Sequence, residues 1–242
     1  DALTLSGANG GLLGGITLAE GTLVAGTSTA LGAGSLTVTG QDGNAILQAG
    51  ADDLTLANAI VLDDGMGTAV LDVTGDTGLS LSGAISGDGD LEIGLDAGVF
   101  LTLGGASGDW TGDTIIDNAG AGLILASDDA LGSGTLRLQT DGELRGSGAG
   151  RELSNAVDLG ASTLTLGAGD DLTISGVISG SGGVTVDAAD TRITLSGTNT
   201  YTGTTTLTGG TLVLGSDDAI GDGAGGASLA IAGGLLGTGG AT

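Results

Sequence analysis

The sequence predicts an all-β solenoid, a chain that winds strand upon strand, and three observations lead there. Apolar residues fall in short runs that alternate with Thr and Ser, as in Ile193-Thr-Leu195, Thr204–Leu207 and Thr211–Leu214, with Gly- or Asn-containing segments breaking the chain between them. The same text recurs along the chain. Glycine supplies 54 residues and proline none, while 40% of the chain is hydrophobic, a composition that fits neither collagen nor ordinary disorder.

Repetition decides the architecture. The stretch Ile193-Thr-Leu-Ser-Gly-Thr-Asn-Thr-Tyr201 through Ser216-Asp-Asp-Ala-Ile-Gly221 returns twice in altered form. Its earlier copies run from Leu101 to Gly132 and from Leu3 to Gly32. Leu79-Ser-Leu-Ser-Gly-Ala-Ile-Ser-Gly87 is answered by Leu172-Thr-Ile-Ser-Gly-Val-Ile-Ser-Gly180, and Leu56-Ala-Asn58 by Leu153-Ser-Asn155. The repeat is 98 residues from Leu3 to Leu101 and 92 from Leu101 to Ile193. Residues 3–100, 101–192 and a partial 193–242 therefore make one elongated body over 1–242. Each repeat suits about five coils. Coils of about 20 residues give about twelve, and a rod of about 60 Å at the usual strand spacing.

Taken in order, strands are expected at Ile16–Leu18, Thr22–Val24, Ser35–Val38, Ala45–Gln48, Asp53–Leu56 and Ile60–Leu62, after a start at Leu3. Each is a short alternating run closed by Gly, Asp or Ser. The pattern continues at Ala69–Val73, Leu79–Leu81, Asp90–Ile93, Val99–Leu103, Thr114–Ile116, Leu123–Leu125, Thr135–Leu138 and Glu143–Arg145. It then passes through Val157–Leu159, Thr163–Leu166, Leu172–Ile174 and Val184–Val186 to the three strands named first. No segment holds a period of 3.6, so essentially no helix is expected.

The run Leu195-Ser-Gly-Thr-Asn-Thr-Tyr-Thr-Gly203, then Thr206-Leu-Thr-Gly-Gly-Thr-Leu-Val-Leu214 and Asp217-Asp-Ala-Ile-Gly221, resembles the passenger-associated repeat of bacterial autotransporters. The resemblance is strongest at 193–221 and weakens through 101–132 to 3–32. It implies a single-stranded right-handed parallel β-helix, exported by the type V route and displayed on, or shed from, a Gram-negative outer membrane. It implies no particular activity, since passengers of that family include adhesins, proteases, esterases and cytotoxins.

Composition narrows the function classes. Acidic residues number 29 against four basic ones, all arginine: Arg137, Arg145, Arg151 and Arg192. No basic patch for phosphates is available, so neither nucleic acid nor an anionic membrane surface is expected as a partner. Cysteine and histidine are absent, which removes disulfides, thiol chemistry and His-dependent triads. With one Phe, one Trp and one Tyr, the core is expected to be stacked Leu, Ile, Val and Ala. No run reads as a signal peptide, a membrane helix or a translocator barrel, and this segment is expected not to insert into a membrane.

Paired aspartates stand at Asp52-Asp53, Asp63-Asp64, Asp128-Asp129, Asp170-Asp171 and Asp217-Asp218, with Asp88-Gly-Asp90 spaced by one. Carboxylates on successive coils are calcium ligands by chemistry, which makes Asp88, Asp90, Asp217 and Asp218 the candidates. Against calcium, Gly87-Asp-Gly-Asp-Leu91 matches only part of the nonapeptide calcium repeat, once, and Gly180-Ser-Gly-Gly-Val184 has lost both acids. Solvated turn carboxylates are the better reading, and no cofactor is expected. The same pairs suggest a glycosidase, but they repeat with the fold as scaffold positions do.

Asn58 and Asn155 occupy matching positions, where an asparagine is expected to bond the backbone and to tolerate a left-handed conformation. Trp110 and Tyr201 share one repeat position, held by Leu12 in the first copy. As aromatics they are candidates for stacking on a sugar or a partner, although a position that accepts Leu favours packing.

These features point to a non-catalytic stalk or adhesin, secreted or surface-displayed, acting as a rigid acidic rod. Its partner is expected to be a receptor or glycan on a host or neighbouring cell, or another copy of itself with cations screening the charge. The alternatives are a filament subunit assembling end to end and, less in keeping with the pattern, a carbohydrate-active β-helix enzyme.

Overall fold

The structure, a computed structural model, describes residues 1–40, 45–63, 65, 69–221 and 227–239. Among the described residues there is no helix, only 25 strands whose ladders are all parallel. The alternation read from the sequence is the physical cause. Leu164–Gly167 begins buried-intermediate-buried, as do Leu79–Leu81 and Leu172–Ile174, so every second side chain enters the core and the Thr or Ser between them faces out.

The chain winds as a parallel β-solenoid of about ten turns around three faces. The first face is a nine-stranded sheet from Ala2–Leu5 to Ile178–Ser179. The second begins at Leu54–Leu56 and ends at Ser228–Ile231. The third starts at Ile16–Leu18, Leu36–Val38, Ile60–Leu62 and Ile85–Gly87. It is carried on by a bridge from Gly87 to Trp110, and it resumes as strands at Arg151–Leu153 and Leu172–Ile174. A continuous interior column runs up the second face: Leu54, Leu79, Leu101, Leu123, Leu144, Leu166, Val186 and Leu207 are register partners in turn. All eight are buried. Each coil hides its apolar face on the next, so stability is distributed along the rod.

Register partners lie 20 residues apart at Leu3 and Leu23, 26 at Leu47 and Val73, and 21 at Val157 and Ile178. Coils are thus mostly longer than the 20 expected, which is why there are about ten rather than twelve; the length becomes about 48 Å. The repeat likewise spans four and a third turns instead of five. Leu3 sits on the first face, its counterpart Leu101 on the second, and Ile193 on the third, each four turns and one face further along. Equivalent residues therefore recur about 21 Å up the axis and one face around it.

Two stretches read as separated strands are single strands bent around corners. Val184–Leu195 and Thr204–Leu214 each cover two faces, with register shifts at Val186/Asp187 and Asp187/Arg192 and a left-handed Asp190 at φ 61°. Strands at Ile85–Gly87, Arg151–Leu153, Ile178–Ser179, Ser228–Ile231 and Leu235–Thr238 were not expected from the pattern. The first three are only two or three residues long, and they form because an adjoining coil offers a partner, beneath Ile85–Gly87 and Ile178–Ser179 and above Arg151–Leu153.

Many glycines serve coil-to-coil approach rather than turning the chain. A Cβ at Gly112 would stand inside the van der Waals envelope of the Gly89 carbonyl one coil below, and one at Gly134 inside that of Gly112. The same corner ladder recurs one face on, from Ser162 to Gly182 to Gly203. At these corners the backbones touch, and no side chain fits between.

Candidate functional site

The repeat's signature turn has one hydrogen-bond plan in all three copies. In Thr27–Gly32, Ser127–Gly132 and Ser216–Gly221 the fourth residue's N–H donates to the first residue's carbonyl, and the glycine N–H to the third residue's. Each glycine is left-handed, at φ 76°, 56° and 85°. The middle pair is exposed in every copy: Ser28-Thr29, Asp128-Asp129 and Asp217-Asp218. Because of the one-third turn left over in the repeat, these turns stand on the second, third and first faces in succession.

Asparagines close the turns from adjoining coils. Asn58 Nδ2 donates to the carbonyls of Gly32 and Gly34 at 3.1 and 2.7 Å. Asn155 Nδ2 donates to those of Gly132 and Gly134 at 3.0 and 2.8 Å, with Leu131 O at 3.4 Å. Both side chains bond the backbone of another coil. Neither residue is left-handed, contrary to expectation, because the corner is made by the glycine beneath them. From the other side, Asn9 and Asn199 donate to Ala30 O and Ala219 O, and Asn199 Oδ1 also accepts from Ile178 N–H. Ser107 replaces them in the second copy, where its Oγ accepts from Ile85 N–H. This second polar ladder was not singled out from the sequence, although Asn199 lies inside the repeat text. Asn155→Ala is expected to destabilise the fold by about 2–3 kcal/mol by stranding buried carbonyls. Asn155→Asp should cost more, since a carboxylate would face the same oxygens; denaturant midpoints of the two variants check the order.

Trp110 and Tyr201 are fully buried, which rules them out as exposed stacking platforms. Trp110 Nε1 donates to Gly89 O at 2.8 Å, and the Tyr201 hydroxyl bonds Thr205 Oγ1 at 2.5 Å. The position four residues on follows suit: Ile16 after Leu12, Thr205 after Tyr201, but Thr114 after Trp110. Trp110 directs its only polar atom elsewhere, so Thr114 Oγ1 is buried without a partner. Thr114→Val should therefore raise stability by about 1 kcal/mol, while Thr205→Val lowers it by about 1–2 by orphaning the tyrosine hydroxyl. Opposite shifts of the two unfolding midpoints are the check.

The calcium candidates are not brought together. Asp90 lies in the fifth tier of the first face and Asp218 in a turn six tiers higher, about 29 Å along the axis. Asp90 Oδ1 instead accepts the N–H of Asp113, and Asp113 Oδ1 that of Thr135. Asp128, Asp141 and Asp171 receive N–H groups of Glu152, Thr163 and Arg192 in the same way. Several corner aspartates are thus inter-coil acceptors rather than merely solvated. Asp64 lies outside the described residues. Among the described residues, no three acidic side chains converge closely enough to hold a metal ion.

Charge is distributed unevenly. Arg137, Arg145 and Arg151 occupy a single turn, one on each face. Arg137 pairs with Asp113 and Asp158, Arg145 with Glu143, and Arg151 with Asp128; Arg145 also covers the Phe100 ring at 4.1 Å. An open polar groove of about 370 Å³, lined by Asp52, Asp53, Ser80, Phe100 and Thr102, lies near this ring. On the first face the outward carboxylates of Asp72, Glu92 and Asp117 lie on three successive coils, Asp72 in register with Glu92 and Asp117 two positions along from them. Burial pushes the Asp72 carboxyl up to about 7, aided by the charges of Asp117 and Glu92. Glu92 is raised by burial and then by Asp117 and Asp90, and Asp117 by burial.

No family model, curated protein or solved structure matches this chain.

Proposed function

We propose that this chain is a non-catalytic passenger segment of the autotransporter type, displayed on or shed from a bacterial surface, which works as a stalk or adhesive rod. The observation that carries this reading is where the polar side chains are spent. Asn58, Asn155 and Asn199, and the corner aspartates Asp90, Asp113, Asp128 and Asp171, make hydrogen bonds from one coil to the next. The repeat text builds coil stacking, which suits a load-bearing rod. Its signature turns face three directions at intervals of about 21 Å, with an exposed Ser-Thr pair in the first copy and exposed Asp-Asp pairs in the other two, so a surface approaching from any side meets a polar turn.

Incubation with neutral and uronic polysaccharides tests the reading. The chain is expected to release neither reducing ends nor unsaturated products, and product from any of them would make it an enzyme. Co-sedimentation with the same polymers separates adhesin from stalk, with retention marking the adhesin.

A second reading is end-to-end assembly into a filament: Leu3 and Leu13 at one end, and Ile231 and Leu235 at the other, are surfaces that a further coil covers, whether it belongs to the same chain or to another copy.

A further inference from the structure

The outward stack on the first face contains a gap. Asp72 is in register with Glu92 on the next coil, while Asp117, one coil further, follows the Ile93–Ile116 pair and so lines up with Gly94, which is stacked on Thr74 and carries no side chain. Both aspartates lean into that space. The point where a Gly94 Cβ would stand is 2.9 Å from Asp72 Oδ1 and 3.4 Å from Asp117 Oδ1, so the two oxygens are at most about 6.3 Å apart. Each of these oxygens is buried and makes no hydrogen bond. Two half-buried carboxylates facing one another repel, and the Gly94 backbone N–H, which favours the charged form of Asp72, does not offset burial and the neighbouring charges; protonating one carboxyl relieves the conflict.

The one cation nearby, Arg137, is already engaged by other carboxylates. From the coil below come Ile46 and Gln48, whose amide donates to Thr74 Oγ1. The middle coil adds Glu92 and Asp90. The coil bearing Asp117 contributes Ile115 and Asp113; the one above contributes Arg137, whose guanidinium is held by Asp113 and Asp158. In a chain with four arginines against 29 acids, this stretch of the first face is left without a counter-charge of its own.

We propose that the Asp72–Glu92–Asp117 stack is a proton-operated clasp: the folded rod takes up a proton there, and the coils from Val70 to Asp117 tighten when it is bound and loosen when it leaves. No bond other than O–H is made or broken, and solvent supplies the proton. Uptake removes one charge from three crowded carboxylates and turns one acceptor at the Gly94 gap into a donor. The direction follows from linkage. A carboxyl raised in the folded state binds more protons folded than unfolded, so its contribution to stability is complete in acid and falls as pH rises toward about 7 for Asp72. A rod moving from a neutral to a mildly acidic medium would stiffen at this point.

Asp72→Asn keeps the shape and fixes the uncharged state. At pH 8 it is expected to raise the melting temperature by about 2–4 °C over wild type. Between pH 8 and 5.5 wild type should gain amide-exchange protection in Asp90–Leu95, after correction for intrinsic exchange, while the variant changes little. Asp117→Asn is expected to behave alike and serves if Asp72→Asn fails to fold. Asp129→Asn, in an exposed turn, reports the general effect of removing one charge from an acidic rod. The clasp is overturned if Asp72→Asn and Asp117→Asn follow the wild-type pH dependence in parallel, or if they gain no more at pH 8 than Asp129→Asn.

Discussion

Gly112→Ala is expected to cost at least about 4 kcal/mol, the range reached when buried backbone must be displaced. The added methyl would meet the Gly89 carbonyl from the coil below and, at 2.8 Å, the indole nitrogen of Trp110. Gly89 O is the acceptor of that indole N–H, so relief in either direction breaks a buried hydrogen bond. Gly134 stacks on Gly112 in the same ladder, and the disturbance should pass upward. Gly108→Ala is the control, because nothing lies within 4 Å of its Cβ and its backbone is not left-handed. It should fall within about 0.5 kcal/mol of wild type. Chemical denaturation of the two variants measures the difference, and equal midpoints would mean that the coils do not touch at this corner.

Trp110→Ala is expected to destabilise by about 3–5 kcal/mol through the cavity it leaves in an interior filled mostly by aliphatic side chains. It also strands the Gly89 carbonyl. Because each coil contacts only its neighbours, the loss should appear first as amide exchange in Ile85–Gly87 and Thr114–Ile116, before the ends of the rod respond. Trp110→Tyr should recover part of it, since a phenol at this position can reach the orphaned Thr114 hydroxyl as Tyr201 reaches Thr205. Uniform exchange along the whole rod would contradict local coil-to-coil coupling.

These expectations show what was legible in the residues. Alternation at Leu79–Leu81 or Leu172–Ile174 marks a strand by itself, because a period of two buries one face in any sheet. The corner at Asp187–Arg192 does not show itself, since a strand can bend through a bulge without a turn signal. Ile178–Ser179 is too short for any pattern and pairs only because Val157–Asp158 lies beneath it. The leftover third of a turn was out of reach of repeat arithmetic alone, because 98 and 92 residues fit five short coils as well as four and a third longer ones.

Site residues divide the same way. The matching positions of Asn58 and Asn155 announced a shared role, but their bonds to turn carbonyls of another coil depend on register. Asp72, Glu92 and Asp117 carried no motif, and Asp72 and Asp117 belong to no acidic pair. Only the winding of the chain sets them on three successive coils with Gly94 between them. Trp110 is a rare aromatic in the sequence, and its burial follows from its place on the third face, bridged to Gly87, which no single repeat reveals.

Sedimentation across a wide concentration range, with calcium and with chelator, tests most directly whether this is a passive rod. The expected result is one species of 22.6 kDa at every concentration and in both media. Growth of mass with concentration would contradict it in favour of end-to-end assembly through the exposed coil ends, and growth only with calcium would make the acidic turns a metal-dependent contact.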